Sequence, residues 1–252
     1  MEWLETTVEG WRDWAPGRRT LRLARSAGFR AGQFLNLALD VDGERVTRSY
    51  SMASAPGAPL EFFLVAVDGG RLSPRLCALE PGDPLWISDT PAGHFTLERV
   101  PDAPVLWLLG TGTGLGPYLS MLATDEPWER FERIVVAHGV RERAHFAYRE
   151  RLGELSEAHG GRLRWVGLVS REAPEGELLG GRIQERIADG SLEERAGVRL
   201  DPDTSQVLLC GHPGLVDEGL ALLAERGLRK NRRRTPGHVT FEKYWLAPRA
   251  TP

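Results

Sequence analysis

Apolar positions along the chain change rhythm near residue 100. Before it they come in short bursts, RRTLRLAR (18–25), QFLNLALDVD (33–42), VTRSYSMAS (46–54), LEFFLVAV (60–67) and PLWIS (84–88), divided by turns containing Gly, Pro or Asp. Short β-rich segments so punctuated predict an antiparallel barrel or sandwich. After it, strand-like runs alternate with helix-like stretches: VLWLLG (105–110) then PYLSMLATD (117–125), RIVVAHGV (133–140) then AHFAYRERLGELSEAHG (144–160), LRWVGLVS (163–170), and QVLLCGHPG (206–214) then LVDEGLALLAERG (215–227). That alternation predicts a parallel sheet wrapped by helices. The change of rhythm places one domain at 1–100 and a second at 101–252, joined through LERVPDAPV (97–105), where Pro101 and Pro104 punctuate the boundary.

Length and composition narrow the class. A chain of 252 residues has room for two ordinary cores, and its 41% hydrophobic and 27% charged content is that of a soluble globular protein. No apolar run approaches the roughly 20 residues of a membrane span, and the acidic MEWLETTVEG start lacks the form of a secretory signal, so no membrane association is expected. Two distant cysteines, Cys77 and Cys210, do not make a disulfide framework or a zinc spacing, which favours a cytoplasmic location. A net charge of -3 argues against nucleic acid as a partner, although RKNRRR (229–234) concentrates cations in one place. The bland reading of that run is a solvated loop or helix end; the sharper one is a docking patch.

Several segments carry candidate chemistry. RSYS (48–51) puts a guanidinium, an aromatic face and a hydroxyl at a strand end: Arg48 suits a pyrophosphate, Tyr50 a flat ring, and Ser51 a ring nitrogen. GGRLS (69–73) opens a predicted helix at 73–79, where backbone N–H groups can meet an anion, or where Ser73 simply caps a glycine turn. LLGTGTGLGPYLS (108–120) reads as strand, glycine-rich turn and helix, with Gly110, Gly112, Gly114 and Gly116 allowing close approach to phosphates. Leu115 stands where the third glycine of G-x-G-x-x-G would be, so this is not the usual dinucleotide fingerprint.

The strand after that turn ends in Arg141 rather than an acid, and the next ends in Ser170 and Arg171, with Arg182 following. Arginines collected along one sheet edge favour a 2'-phosphate, hence NADP over NAD. Cys210 sits at the carboxyl end of a later strand, where ligands bind in such sheets, although a lone cysteine is more often a small buried residue. HVTFEKYW (238–245) then offers Glu242, Tyr244 and Trp245, or simply one more hydrophobic strand closing the sheet.

Taken in order, R-x-Y-S at 48–51, EFFLVAV followed by GGRLSPRL, G-T-G-T-G-x-G-P at 110–117, VSRE at 169–172, CGHPG at 210–214, RRRTPGH and E-K-Y-W resemble the ferredoxin-NADP reductase family, in particular its short bacterial branch. The resemblance spans nearly the whole chain and implies an N-terminal β-barrel that binds FAD and a C-terminal α/β domain that binds NADP. It implies FAD contacts from Arg48, Ser49, Tyr50, Ser51, Phe63, Leu64, Val65, Arg71, Leu72, Ser73, Thr113, Tyr244 and Trp245. NADP contacts would come from Gly112, Val140, Arg141, Ser170, Arg171, Arg182 and Gly211, and Ser51, Cys210 and Glu242 would stand nearest the chemistry. The implied reaction is hydride exchange between nicotinamide and flavin with one-electron steps to a ferredoxin or flavodoxin, carried out by a monomer. The related alternative is a flavin or oxygenase-component reductase on the same fold; the iron-sulfur domain that such reductases often append needs a cysteine cluster that this chain lacks. Similar short enzymes stop at or near the tryptophan, whereas this chain continues with LAPRATP.

Overall fold

The computed structural model describes residues 2–244, and its contacts divide the chain into two compact units: Met1–Leu97 with Gly116–Thr124, and Glu98–Leu115 with Asp125–Pro252. In the first unit six strands, β1 (Trp3–Ala15), β2 (Arg18–Ser26), β3 (Phe34–Val41), β4 (Glu44–Ser51), β5 (Pro59–Val65) and β6 (Pro84–Ser88), pair antiparallel in the order β4-β3-β6-β1-β2-β5. An antiparallel bridge between Met52 and Phe62 joins the two ends of that order, so the sheet closes into a barrel. Closure removes the unpaired edges that an open sheet would expose. Inward positions alternate along the strands: Leu35 and Leu37 on β3, Leu21 and Leu23 on β2, Leu85 and Ile87 on β6 fill the barrel with Phe62, Leu64 and Leu76.

The longest strand, β1, is absent from the sequence reading. Glu5 and Glu9 keep to exposed positions, but the inward Thr6 is polar, and two register shifts, after Val8 and after Asp13, break the alternation and bend the strand around the barrel. Two helices complete this unit, α1 (Ser73–Cys77) and α2 (Gly116–Leu122). Every residue of α2 is buried, Tyr118 meets Phe95 with ring centroids 6.0 Å apart, and a Cβ on Gly32 would lie 2.5 Å from the Met121 methyl. That packing groups 116–124 with the barrel although the stretch lies beyond the break at 97–105.

The second unit holds a six-stranded sheet in the order β10-β9-β8-β7-β11-β12, parallel throughout: β7 (Val105–Thr111), β8 (Arg133–Val140), β9 (Leu163–Val169), β10 (Leu179–Gly180), β11 (Ser205–Gly211) and β12 (Val239–Lys243). Residues 105–110 and all of β11 are buried, the near-continuous apolar run expected of strands covered on both faces. Helices α3 (Glu126–Arg130), α4 (Arg149–Ala158), α5 (Ile183–Ala188), α6 (Ser191–Ala196) and α7 (Pro213–Glu225) surround it. From β7 the chain steps outward through β8 and β9, while β11 lies on the other side of β7. The strand order therefore reverses between β7 and β11, and the crevice at their carboxyl ends is where sheets of this kind take ligands.

One helical expectation is corrected. The stretch 144–160 is not one helix: a 3₁₀ turn covers Arg143–His145, Tyr148 takes a left-handed φ of 60°, and α4 starts only at Arg149. Phe146 and Tyr148 are buried, so tertiary packing of these rings overrides local helix preference.

Candidate functional site

The residues singled out by the sequence fall on both units. On the barrel, β4 carries Arg48 and Ser49 exposed and Tyr50 and Ser51 half-buried. Arg48 donates one hydrogen bond to its neighbour's carbonyl, Thr47 O at 2.7 Å, which leaves most of its five N–H donors for an anion. Ser49 Oγ donates to Asn36 Oδ1 at 2.8 Å, so its hydroxyl is engaged with β3. Tyr50 leans on the barrel core, and burial pushes its phenol up to about 12, keeping it protonated across the physiological range. A half-buried neutral ring beside an open guanidinium has the chemistry to hold a flat aromatic group with a pyrophosphate.

On β5, Phe63 and Leu64 are buried and Val65 half-buried. Leu64 lies wholly in the barrel core, so its side chain is unavailable to a ligand and only its backbone remains. Leu72 is likewise a core residue. Arg71 is exposed and pairs with Glu44 at 2.9 Å. Ser73 is the first residue of α1, not its cap; its Oγ accepts from Val67 N at 3.1 Å, closing the glycine turn. Gly70 is needed there, because a Cβ would sit 2.9 Å from the Val67 carbonyl oxygen.

In the second unit the glycine-rich turn runs as a 3₁₀ helix over Gly112–Leu115 from the end of β7. Four neighbours fix it. Tyr244 OH donates to the Thr113 carbonyl at 3.0 Å, His138 Nε2 faces the Gly112 carbonyl at 3.0 Å, and His212 N–H donates to Thr111 Oγ1 at 2.9 Å. The fourth is the backbone of β11: a Cβ on Gly114 would lie 2.5 Å from the Cys210 carbonyl oxygen. Gly211 has φ 120° and would drive a Cβ to 2.5 Å from Thr111 Oγ1. These glycines let β7 and β11 present their ends side by side, and a backbone turn of this kind has the chemistry to cradle a phosphate.

Cys210 is fully buried, in register with Gly110 on β7 and Glu242 on β12. Burial first and the Glu242 carboxylate second raise its thiol well above the ordinary range, so it stays neutral. It has no open face here; as a catalytic candidate it is confined to being a small uncharged wall. Glu242 is half-buried on β12. Trp245 lies outside the described residues.

Arg141, Arg171 and Arg182 are all exposed, and no guanidinium of the three has an acidic partner among the described residues; the Arg182 backbone N–H donates to Glu185 Oε2 at 2.9 Å. The ladder between β8 and β9 continues past the strands, with Ser170 N–H donating to Val140 O at 3.1 Å and Arg171 N–H to Arg141 O at 2.9 Å. Ser170 Oγ adds a bond to the Val140 carbonyl at 3.2 Å. Gly181 N–H donates to Val169 O at 2.8 Å, bringing Arg182 at the start of α5 to the same edge. Arg143, by contrast, is neutralised by Glu172 and Glu175. So three arginines stand unpaired at one end of the sheet, an arrangement suited to a dianion. His138 and His212 were missed by sequence reasoning: nothing in a lone strand histidine, or in a backbone N–H, signals contact with a turn far away in sequence.

The chain matches the family model of the oxidoreductase FAD-binding domain over 19–97 and that of the oxidoreductase NAD-binding domain over 108–218. A flavodoxin/ferredoxin-NADP reductase of Shigella flexneri is 43% identical over 97% of this chain and 99% of its own length. A ferredoxin-NADP reductase of Azotobacter vinelandii is 33% identical over 95% of each. Among solved structures, the ferredoxin NADP+ reductase of Neisseria gonorrhoeae with bound FAD and NADP superposes with a TM-score of 0.91 at 29% identity, covering 97% of this chain and all of that one. With two domain models matched in order and relatives alike over almost their full length, the chain belongs to the flavodoxin/ferredoxin-NADP reductase family.

Proposed function

We infer that this protein is an FAD enzyme that passes electrons between NADPH and a ferredoxin or flavodoxin. The observation that carries the choice of nucleotide is the set of unpaired Arg141, Arg171 and Arg182 at the carboxyl edge of a sheet whose glycine-rich turn is held at the switch point. When bound, FAD supplies the exchange between hydride and single-electron chemistry. The chain's residues bind and orient. Arg48 and Arg71 take the pyrophosphate of FAD, Tyr50 offers its ring, and the Ser51 hydroxyl a hydrogen bond to a ring nitrogen. The turn at 112–115 and Gly211 receive the phosphates of NADPH, Arg141, Ser170, Arg171 and Arg182 the adenosine end, and the neutral Cys210 and Glu242 border the nicotinamide.

The carrier's side of the reading rests on the loop 229–234. Arg229, Lys230, Arg232, Arg233 and Arg234 are exposed and make no ion pair among the described residues, while Asn231 Nδ2 anchors the loop to Arg99 O at 2.6 Å. Arg232 and Thr235 exchange backbone hydrogen bonds, so the arginines sit on a tight turn and not on a helix end. A cationic projection on a molecule of net charge -3 suits an acidic electron carrier.

Purification tests the whole reading. The protein is expected to carry about one non-covalent FAD per chain, to reduce a dye with NADPH, and to pass electrons to purified ferredoxin or flavodoxin. An apoprotein that stays colourless and ignores added FAD would overturn it.

A further inference from the structure

His138 is wholly buried on β8, with Gly110 of β7 and Gly167 of β9 as its partners in register. Facing residues on neighbouring parallel strands share a side of the sheet, so the imidazole stands in a row whose other two members have no side chain. The space over Gly167 is filled by Trp165: a Cβ on that glycine would lie 2.4 Å from the indole. Trp165 meets Phe146 edge to face at 5.2 Å, and Phe146 meets His138 in the same manner at 5.7 Å. The Arg149 guanidinium lies over the other two rings besides His138, at 4.7 Å from Trp165 and 5.8 Å from Phe146.

Two features argue that this position is more than core filling. The Nε2 contact is with a carbonyl oxygen, Gly112 O at 3.0 Å, so Nε2 carries the proton, and Gly112 itself has φ 54°. The other nitrogen, Nδ1, is buried with no partner among the described residues. An apolar side chain would fill the same space without orphaning an acceptor, so what histidine adds here is the single N–H directed at the turn.

We propose that His138 is a positioning residue for the dinucleotide: its ring ties the Gly112 carbonyl of the phosphate turn to Phe146, and thereby to the loop 141–148 that begins with Arg141, so that both ends of the nucleotide meet one packed unit. Arg143 pins the far side of that loop to Glu172 and Glu175. The proposal rests on the NADPH reading above.

Its test is binding to the FAD-containing protein by calorimetry, using NADP+ and, as a probe of the arginine loop alone, 2',5'-ADP. His138→Leu is expected to raise the Kd for NADP+ about tenfold, and that for 2',5'-ADP by roughly threefold, from loss of one directed hydrogen bond and the ring contact. With NADPH and a dye, KM should rise more than kcat falls. His138→Gln places an N–H near the position of Nε2 and should hold NADP+ to within about twofold of the wild type at most. Should His138→Leu fail to fold, His138→Gln and Phe146→Leu decide, the latter weakening 2',5'-ADP while leaving the bond to Gly112. Unchanged NADP+ affinity in His138→Leu overturns the proposal, as does a glutamine variant that binds as poorly as the leucine variant at equal Tm. Unchanged 2',5'-ADP binding in Phe146→Leu does so too. A wild-type protein that binds neither probe would instead sink the NADPH reading itself.

Discussion

Gly114 lies directly over the backbone of Cys210: a Cβ there would be 2.5 Å from the carbonyl oxygen, 2.8 Å from the carbonyl carbon and 3.1 Å from the Gly211 Cα. All three obstacles are backbone, and β11 is hydrogen-bonded to strands on both sides, so it cannot yield as a flexible side chain would. Gly114→Ala must therefore displace the turn. Overpacking of this kind costs on the order of 1–3 kcal/mol, and the expected result is a roughly tenfold or greater rise in KM for NADPH with FAD still bound. Steady-state kinetics together with the flavin spectrum check it.

Arg171 and Arg182 reach the same sheet edge by different routes, one by extension of the ladder from β8, the other through Gly181 and the start of α5. Replacing either by Gln removes a charge-assisted contact worth about 1.5–3 kcal/mol to a phosphate. The KM for NADPH should rise roughly tenfold to a hundredfold while that for NADH barely moves. Equal weakening of both would mean that the arginines do not read the 2'-phosphate.

Much of this was legible in the sequence because its signals are local. Alternation in RRTLRLAR marks β2, the apolar burst LEFFLVAV marks β5, the continuous VLWLLG marks a buried parallel strand, and turn glycines stand at 110–116. β1 was not legible, since a polar Thr6 on the inward face and two bulges mask its period of two. Nor was the break at Tyr148, which depends on Phe146 finding His138 and Trp165 across the sheet. The site followed the same rule. Arg141, Arg171 and Arg182 could be placed from strand ends, but the burial of Leu64 and Leu72 and the contact of His138 with Gly112 are tertiary facts that no nearby residue announces.

His138 also gives the fold a pH signature. Burial lowers its pKa from 6.5 to about 4, against a smaller opposing effect of the bond to Gly112. Between those values the unfolded chain binds the proton and the folded chain does not, so stability falls as pH drops through this window, by about 1.4 kcal/mol per pH unit for this one group. Below about pH 4 its contribution levels off. Urea midpoints measured from pH 7 to pH 4 should decline in the wild type and decline less in His138→Gln. On the alkaline side the sign reverses for a half-buried acid: desolvation raises Cys77 from 9.0 to about 11, so stability from that group is lost as pH rises above 9.

The charges of the loop at 229–234 are exposed and pair with no acid among the described residues. Arg232, Arg233 and Arg234 occupy the exposed tip of a turn held at its base by Asn231, which bonds Arg99 O and Thr240 Oγ1 and accepts from Gly237 N–H. Neutralising the three arginines leaves that base intact, so the fold and the nucleotide edge should be unaffected. Charge of this kind acts mainly on the rate of encounter, and it is screened over about 8–10 Å in physiological salt. The triple Gln variant should therefore reduce an acidic carrier several-fold more slowly at low ionic strength, with NADPH-to-dye reduction nearly unchanged, and the difference should close as salt is added. Stopped-flow measurement across a salt series decides. Unaltered carrier rates and salt dependence would make the loop a plain solvated turn, whereas loss of NADPH affinity with carrier rates preserved would assign these arginines to the nucleotide.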